Sequence, residues 1–257
     1  MHATIDGLTV SWSVKGSGDD VVLLHGWGAR ASLFDALGDL LATRYRVTAF
    51  DFPGFGDSDE PPEPWSVDDY TVFTRHLFAH LGITRASLIG HSFGGRVIIK
   101  LAADPDRGFE LDRLVLVDSA GIPPQRSLAY QARVKAYKAG RRVLTSKPVK
   151  AIAPGAEEAF RRAAGSADYA SATPIMRQSL VKVVNEDLTP LLERISQETL
   201  LVWGSNDTDT PVSDGEIMEE KIPDAGLVIL PGAGHYSFLD QAYAFHRVIR
   251  SYFGIEE

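Results

Sequence analysis

The chain has 257 residues, 26 basic and 34 acidic side chains for a net charge of −8, 44% apolar and 23% charged residues, and no cysteine. That length and apolar content suit one large α/β domain with a substantial core. The acidic balance argues against nucleic-acid binding as the main activity, and the missing thiols exclude disulfides, thiolate nucleophiles and cysteine-ligated zinc.

At the N-terminus, "MHATIDGLTVSWSVKGSG" lacks a basic segment followed by an apolar core, and no later run reaches the ~18 apolar residues of a membrane span. A cytoplasmic protein with no membrane span is expected. Within that stretch "TIDGLTVSWSV" reads as an antiparallel hairpin at the edge of a sheet. Next come "VVLLH" (21–25) and "VTAF" (47–50), continuous rather than alternating apolar runs of the kind buried on both faces of a parallel sheet. A glycine-loosened turn, "HGWG" (25–28), follows the first of them.

The helix in "PWSVDDYTVFTRHLFAHLG" is marked at both ends. Ser66 can cap it with Asp69 three residues on, Trp65 can staple onto Tyr70, and Gly82 can end it. Val67, Tyr70, Thr74, Leu77, Phe78 and Leu81 form its apolar stripe. A third apolar run, "ASLIG" (86–90), then leads into "GHSFGG", and "GGRVIIKLAA" continues as a helix. A glycine-flanked serine is a weak pattern alone, but strand before and helix after are the context of a nucleophile on a strained turn, Ser92.

After "RLVLVD" (113–118) the strand–helix alternation stops at Gly121. Residues 122–184 show helical stretches only and carry twelve Lys or Arg against three acidic residues. They read as a helical insertion into a core formed by 1–121 and 185–257, because "TLLVW" (199–203) and "LVIL" (227–230) resume the alternation and complete one sheet.

A serine hydroxyl needs a base, and the base needs an orienting group. Of seven histidines, His2 is terminal, His76, His80 and His246 fall in helical patterns, and His25 and His91 sit in glycine motifs at strand ends. His235, in "LPGAGHYSFLD", follows the last strand in a loop that reaches the ligand-binding edge of an open sheet. For the acid, Asp207 in "VWGSNDTDTP" ranks ahead of Asp118 and Asp209, which suit capping or turn-stabilising roles. Two backbone N–H groups must hold the oxyanion: Phe93 follows the serine, and Trp27 lies in "HGWG".

In this order and spacing, "HGWG", "DFPGFGDSD", "GHSFGG", "VDSAG", "GSNDTDTP" and "GAGH" resemble the α/β-hydrolase superfamily over nearly the whole chain outside 122–184. The resemblance implies a mostly parallel central sheet flanked by helices, with 122–184 as a cap. It assigns Ser92 as nucleophile, Asp207 as acid, His235 as base, and the Trp27 and Phe93 N–H groups as oxyanion donors. Serine at the elbow points to ester hydrolysis through an acyl-enzyme. The alternatives are a carbon–carbon bond hydrolase of ring-cleavage products and a slow-turnover small-molecule receptor. Against the former, His91 stands where asparagine is usual and Tyr236 where tryptophan is usual. Trp27, Phe93 and Tyr236, with Tyr130 and Tyr137 from the cap, are candidate pocket residues for a small-molecule substrate. The basic segment raises the idea of steering anionic substrates, although outward-facing charges on cap helices are the simpler reading. No metal or organic cofactor is expected.

Overall fold

Residues 1–123, 169 and 172–256 are described in a computed structural model. The first hairpin forms as its sequence requires. Strands β1 (His2–Ile5) and β2 (Leu8–Lys15) pair antiparallel about Asp6 and Gly7, whose φ of 51° and 83° supply the twist of a two-residue hairpin turn. The continuous apolar runs become β3 (Asp20–Leu24), β4 (Arg46–Phe50), β5 (Arg85–His91), β6 (Glu110–Val117), β7 (Thr199–Gly204) and β8 (Ala225–Leu230). The eight strands form one sheet in the order β1-β2-β4-β3-β5-β6-β7-β8; the first two pairings are antiparallel and the rest parallel.

Two apolar layers explain why the central strands lack alternation. Val22, Leu24, Leu114, Leu116, Leu201 and Trp203 face one cluster; Val21, Leu23, Val115, Val117, Leu200 and Val202 face the other. Helices α2 (Val67–Leu81), α3 (Phe93–Ala103) and α5 (Val212–Lys221) contribute to the first cluster, α1 (Asp35–Leu41), α6 (Ser237–Asp240) and α7 (Ala242–Phe253) to the second.

The signals at the ends of α2 act as read. Ser66 Oγ accepts from Asp69 N while Ser66 N donates to Asp69 Oδ2 at 2.7 Å, Trp65 meets Tyr70 at 5.0 Å between ring centroids, and Gly82 closes the helix at φ 68°. The buried face is broader than the stripe expected, because Thr71 and Phe73 are also buried and Leu81 is only partly so.

Between β6 and β7 the described residues hold no strand. Helix α4 (Pro174–Asn185) is capped by Thr173, whose Oγ1 accepts from Met176 N, and it buries Met176, Leu180 and Val183 against the main core. Most of the 122–184 segment, including Tyr130 and Tyr137, lies outside the described residues. Its described cations Arg177 and Lys182 donate to the backbone carbonyls of Tyr169 and Pro64.

Candidate active site

Strand register brings the C-terminal ends of the parallel strands level, with Leu24 beside Gly90, His91 beside Val117 and Gly204 beside Leu230. The candidate residues leave the sheet at these ends. Ser92 lies between β5 and α3 with φ 50° and ψ −108°, a conformation costing a non-glycine residue of order 1–3 kcal/mol. The flanking glycines make the sharp turn possible: a Cβ on Gly90 would come 2.8 Å from the Gly94 carbonyl carbon, and one on Gly94 would overlap the Leu24 carbonyl.

Across the strand ends, Ser92 Oγ lies 3.0 Å from His235 Nε2, and His235 Nδ1 lies 2.8 Å from Asp207 Oδ2. A carboxylate can only accept, so His235 carries its proton on Nδ1 and presents a bare Nε2 to the serine hydroxyl. Burial alone would depress the His235 pKa, but the hydrogen bond and charge of Asp207, with help from Asp209 and Asp118, outweigh it and raise the value above 6.5. Burial conversely favours protonated Asp207. Its hydrogen bonds from His235 and Thr210 prevail and hold the carboxyl below 3.8.

Asp207 is fixed by its other oxygen, Oδ1, which accepts from Asp209 N at 2.8 Å and Thr210 N at 3.0 Å. Fully buried Trp203, at the end of β7, donates through Nε1 to Thr210 O at 2.8 Å and so pins the same loop. Asp209 holds no bond to His235; it contributes its backbone N–H to Asp207 and lines the neighbouring cavity.

Asp118, the other strand-end acid, has φ 44° and makes no hydrogen bond to the His235 ring. Its Oδ1 accepts from Gly204 N at 2.8 Å and its Oδ2 from Ser237 N at 2.9 Å. Burial drives its pKa up to about 6 despite these two bonds. His25 and His91 are buried and held neutral, with pKa values pushed down to about 4 and about 3, by desolvation above all. His25 accepts from Phe52 N at 2.9 Å, and His91 donates through Nε2 to His235 O at 2.7 Å. The contact from His91 fixes the backbone of the histidine facing Ser92, a role nothing in the sequence suggested.

Phe93 is the first residue of α3, so its N–H has no acceptor within the helix. Among the described residues the Trp27 N–H likewise donates to no group. Both residues line a cavity of about 470 Å³ that opens onto Ser92 and His235 and is also walled by Tyr236. Two polar residues in that wall, Arg96 and Asp214, were not anticipated. Each is only 4% exposed. Arg96 was legible only as one of two cations, with Lys100, in the otherwise apolar string "GGRVIIKLAA", four residues after Ser92. Among the described residues no cluster of three or more acidic or histidine side chains could hold a metal, and no helix is long and apolar enough to cross a membrane.

The family model of the alpha/beta hydrolase family matches residues 21–248. The chain belongs to the alpha/beta hydrolase family. Several relatives of this hydrolase are themselves hydrolases and esterases. It is 30% identical over 243 residues to the pimeloyl-[acyl-carrier protein] methyl ester esterase of Nitrosomonas europaea, covering 87% of this chain and 91% of the relative. It is 28% identical over 247 residues to the 2-(acetamidomethylene)succinate hydrolase of Mesorhizobium japonicum, covering 90% and 87%. In fold it resembles the meta-cleavage product hydrolase of Pseudomonas fluorescens IP01, with a TM-score of 0.74 and 23% identity over 99% of this chain and 97% of the other.

Proposed function

We propose that this hydrolase is a cytoplasmic serine carboxylesterase that cleaves a small ester through an acyl-enzyme, with Ser92 as nucleophile, His235 as general base and Asp207 as its orienting acid. The observation that carries the reading is the hydrogen-bonded line from Ser92 Oγ through His235 to Asp207, at 3.0 and 2.8 Å. The Ser92 hydroxyl attacks the ester carbonyl carbon while its proton passes to His235 Nε2. The resulting oxyanion is met by the Trp27 and Phe93 N–H groups at the positive end of α3. The imidazolium returns the proton to the departing alcohol, leaving the acyl group on Ser92 Oγ. Water, deprotonated by His235, attacks that acyl carbon and releases the acid and free Ser92.

Residues 122–184 serve as the cap over this site, on a core made of 1–121 and 185–257. The apolar walls at Trp27, Phe93 and Tyr236 receive the acyl chain, with Tyr130 and Tyr137 of the cap as further candidates. The chemistry assigned to these residues requires no metal or cofactor. The esterase relative at 30% identity favours an ester over other acyl compounds. Carbon–carbon bond hydrolysis is the second reading, supported by fold likeness alone and opposed by His91 and Tyr236 at the positions where that chemistry usually has asparagine and tryptophan.

The test is multiple-turnover hydrolysis of p-nitrophenyl acyl esters, alongside a ring-cleavage dienone, by the parent and Ser92→Ala. The expected result is ester turnover that falls by several powers of ten in kcat in the alanine variant. Full activity in Ser92→Ala would overturn the mechanism. Dienone cleavage exceeding ester cleavage would transfer the assignment to the second reading, and a single slow turnover would favour a receptor.

A further inference from the structure

Charged groups are rarely buried without a partner, because removing a guanidinium from water is compensated only by opposite charge or a full set of hydrogen bonds. Arg96 departs from that rule inside the cavity of Ser92. Its residue is 4% exposed, it has five N–H donors, and among the described residues its side chain makes one hydrogen bond, from Nη1 to Glu186 O at 2.8 Å. The acids nearest to it are engaged elsewhere. The Glu186 carboxylate pairs with Lys100, and Asp187 Oδ1 accepts from Thr189 N. Asp214, on another wall of the same cavity, lies beyond ion-pair distance of Arg96. Burial pulls the Arg96 pKa down only to about 10, so the group stays charged at neutral pH.

Its position is as informative as its charge. Arg96 lies in the first turns of α3, the helix that Ser92 precedes, and lines the same cavity as the nucleophile and His235. A planar fork with free donors in the cavity of the nucleophile matches a carboxylate joined to the reacting carbonyl by a short chain. The opposite orientation, with the anion on the basic cap, would leave Arg96 desolvated and unanswered.

We propose that Arg96 binds a carboxylate on the acyl chain of the substrate, making the enzyme selective for monoesters of short dicarboxylic acids. The proposal rests on the ester-hydrolase reading for its reaction but on the cavity alone for its binding site.

The test compares p-nitrophenyl monoesters of succinate, glutarate and adipate with neutral p-nitrophenyl butyrate, valerate and hexanoate, matched in chain length. For the parent the best carboxylated ester should exceed its neutral partner at least tenfold in kcat/KM. In Arg96→Gln that ratio should fall at least tenfold, chiefly through KM, and Arg96→Lys should lie between. A merely structural Arg96 would lower both esters together and leave the ratio fixed, which would overturn the proposal, as would a parent that favours the neutral ester at every length. Arg96→Lys decides alone if the glutamine variant does not fold. If neither ester is turned over in a Ser92-dependent way, the hydrolase reading fails on its own. Calorimetry with glutarate then judges Arg96: binding to the parent that weakens at least tenfold in Arg96→Lys supports the site, and no binding to the parent refutes it.

Discussion

Replacing each of two strand-end aspartates by asparagine separates the acid that orients the base from the acid that only holds loops. Asp207 Oδ1 accepts from two backbone N–H groups, Asp209 at 2.8 Å and Thr210 at 3.0 Å, so an asparagine there must keep its carbonyl oxygen at that position. Its NH₂ group is thereby forced toward His235 Nδ1, which now has to accept. The ring proton moves to Nε2, facing Ser92 Oγ, and the base is lost without any change of shape. A triad left in the wrong tautomer loses about 10⁴ in kcat, or about 5 kcal/mol of transition-state stabilisation. Asp118→Asn has a different consequence. Both its oxygens accept one backbone N–H, from Gly204 and Ser237, so the amide leaves one donor facing another at a cost of ~1–3 kcal/mol in stability. Its kcat should fall by no more than about a hundredfold, the cost of a misplacement of about 1 Å, while its melting temperature falls by several degrees. Steady-state hydrolysis of p-nitrophenyl esters and thermal melts of both variants read the two effects apart. Near-parental kcat in Asp207→Asn, or a 10⁴ loss in a folded Asp118→Asn, would refute the assignment.

The pH dependence follows from the same hydrogen bond. Since His235 must be neutral to act and its pKa is raised, kcat/KM should climb with pH through a single limb whose midpoint lies above 6.5, with His25 and His91 neutral throughout; a midpoint below 6.5 contradicts this. For stability, raised His235 contributes below 6.5 and loses its contribution as pH rises through its folded value, whereas lowered Asp207 contributes above 3.8 and loses it as pH falls. Denaturant titrations of Asp207→Asn should therefore show the greatest loss between those two pH values. Gly94→Ala, which helix propensity alone would make stabilising by about 1 kcal/mol, should instead destabilise by at least ~1–3 kcal/mol because the new Cβ meets the Leu24 carbonyl; a melt equal to the parent's would show that α3 can withdraw from β3.

Features set by neighbours in sequence were legible. The capping box at Ser66 and Asp69, the αL stop at Gly82 and the doubly buried strands are short-range consequences of residue type, and each appears where the sequence put it. The order of Ser92, Asp207 and His235 was also readable, because each follows an apolar run whose end fixes its height on the sheet. Asp207 ranked ahead of Asp118 in the sequence, but the physical distinction between them was not legible. Both are aspartates at the ends of buried strands, and only their backbone conformation and the donors around them differ. Arg96 was hidden for a related reason: a cation in a helix is normally solvated, and its burial depends on α4 and the Glu186 backbone, far away in the chain.

The geometry around His235 owes its accuracy to the acid that does not touch it. Asp118 reaches Gly204 N, three residues before Asp207, with one oxygen and Ser237 N, two residues after His235, with the other. One carboxylate therefore clamps both loops whose tips must meet within 2.8 Å. Asn206 N donating to Ala233 O at 2.8 Å ties the same loops on their far side. His91, immediately before the serine, completes the link by holding the His235 carbonyl, so the serine turn and the histidine loop move together. Each loop alone has the freedom of a surface segment, but joined at Asp118 and His91 they inherit the rigidity of β5, β6 and β7. A hydrogen-bonded line assembled from three distant pieces of chain needs that rigidity, since misplacement by about 1 Å costs roughly a hundredfold in rate.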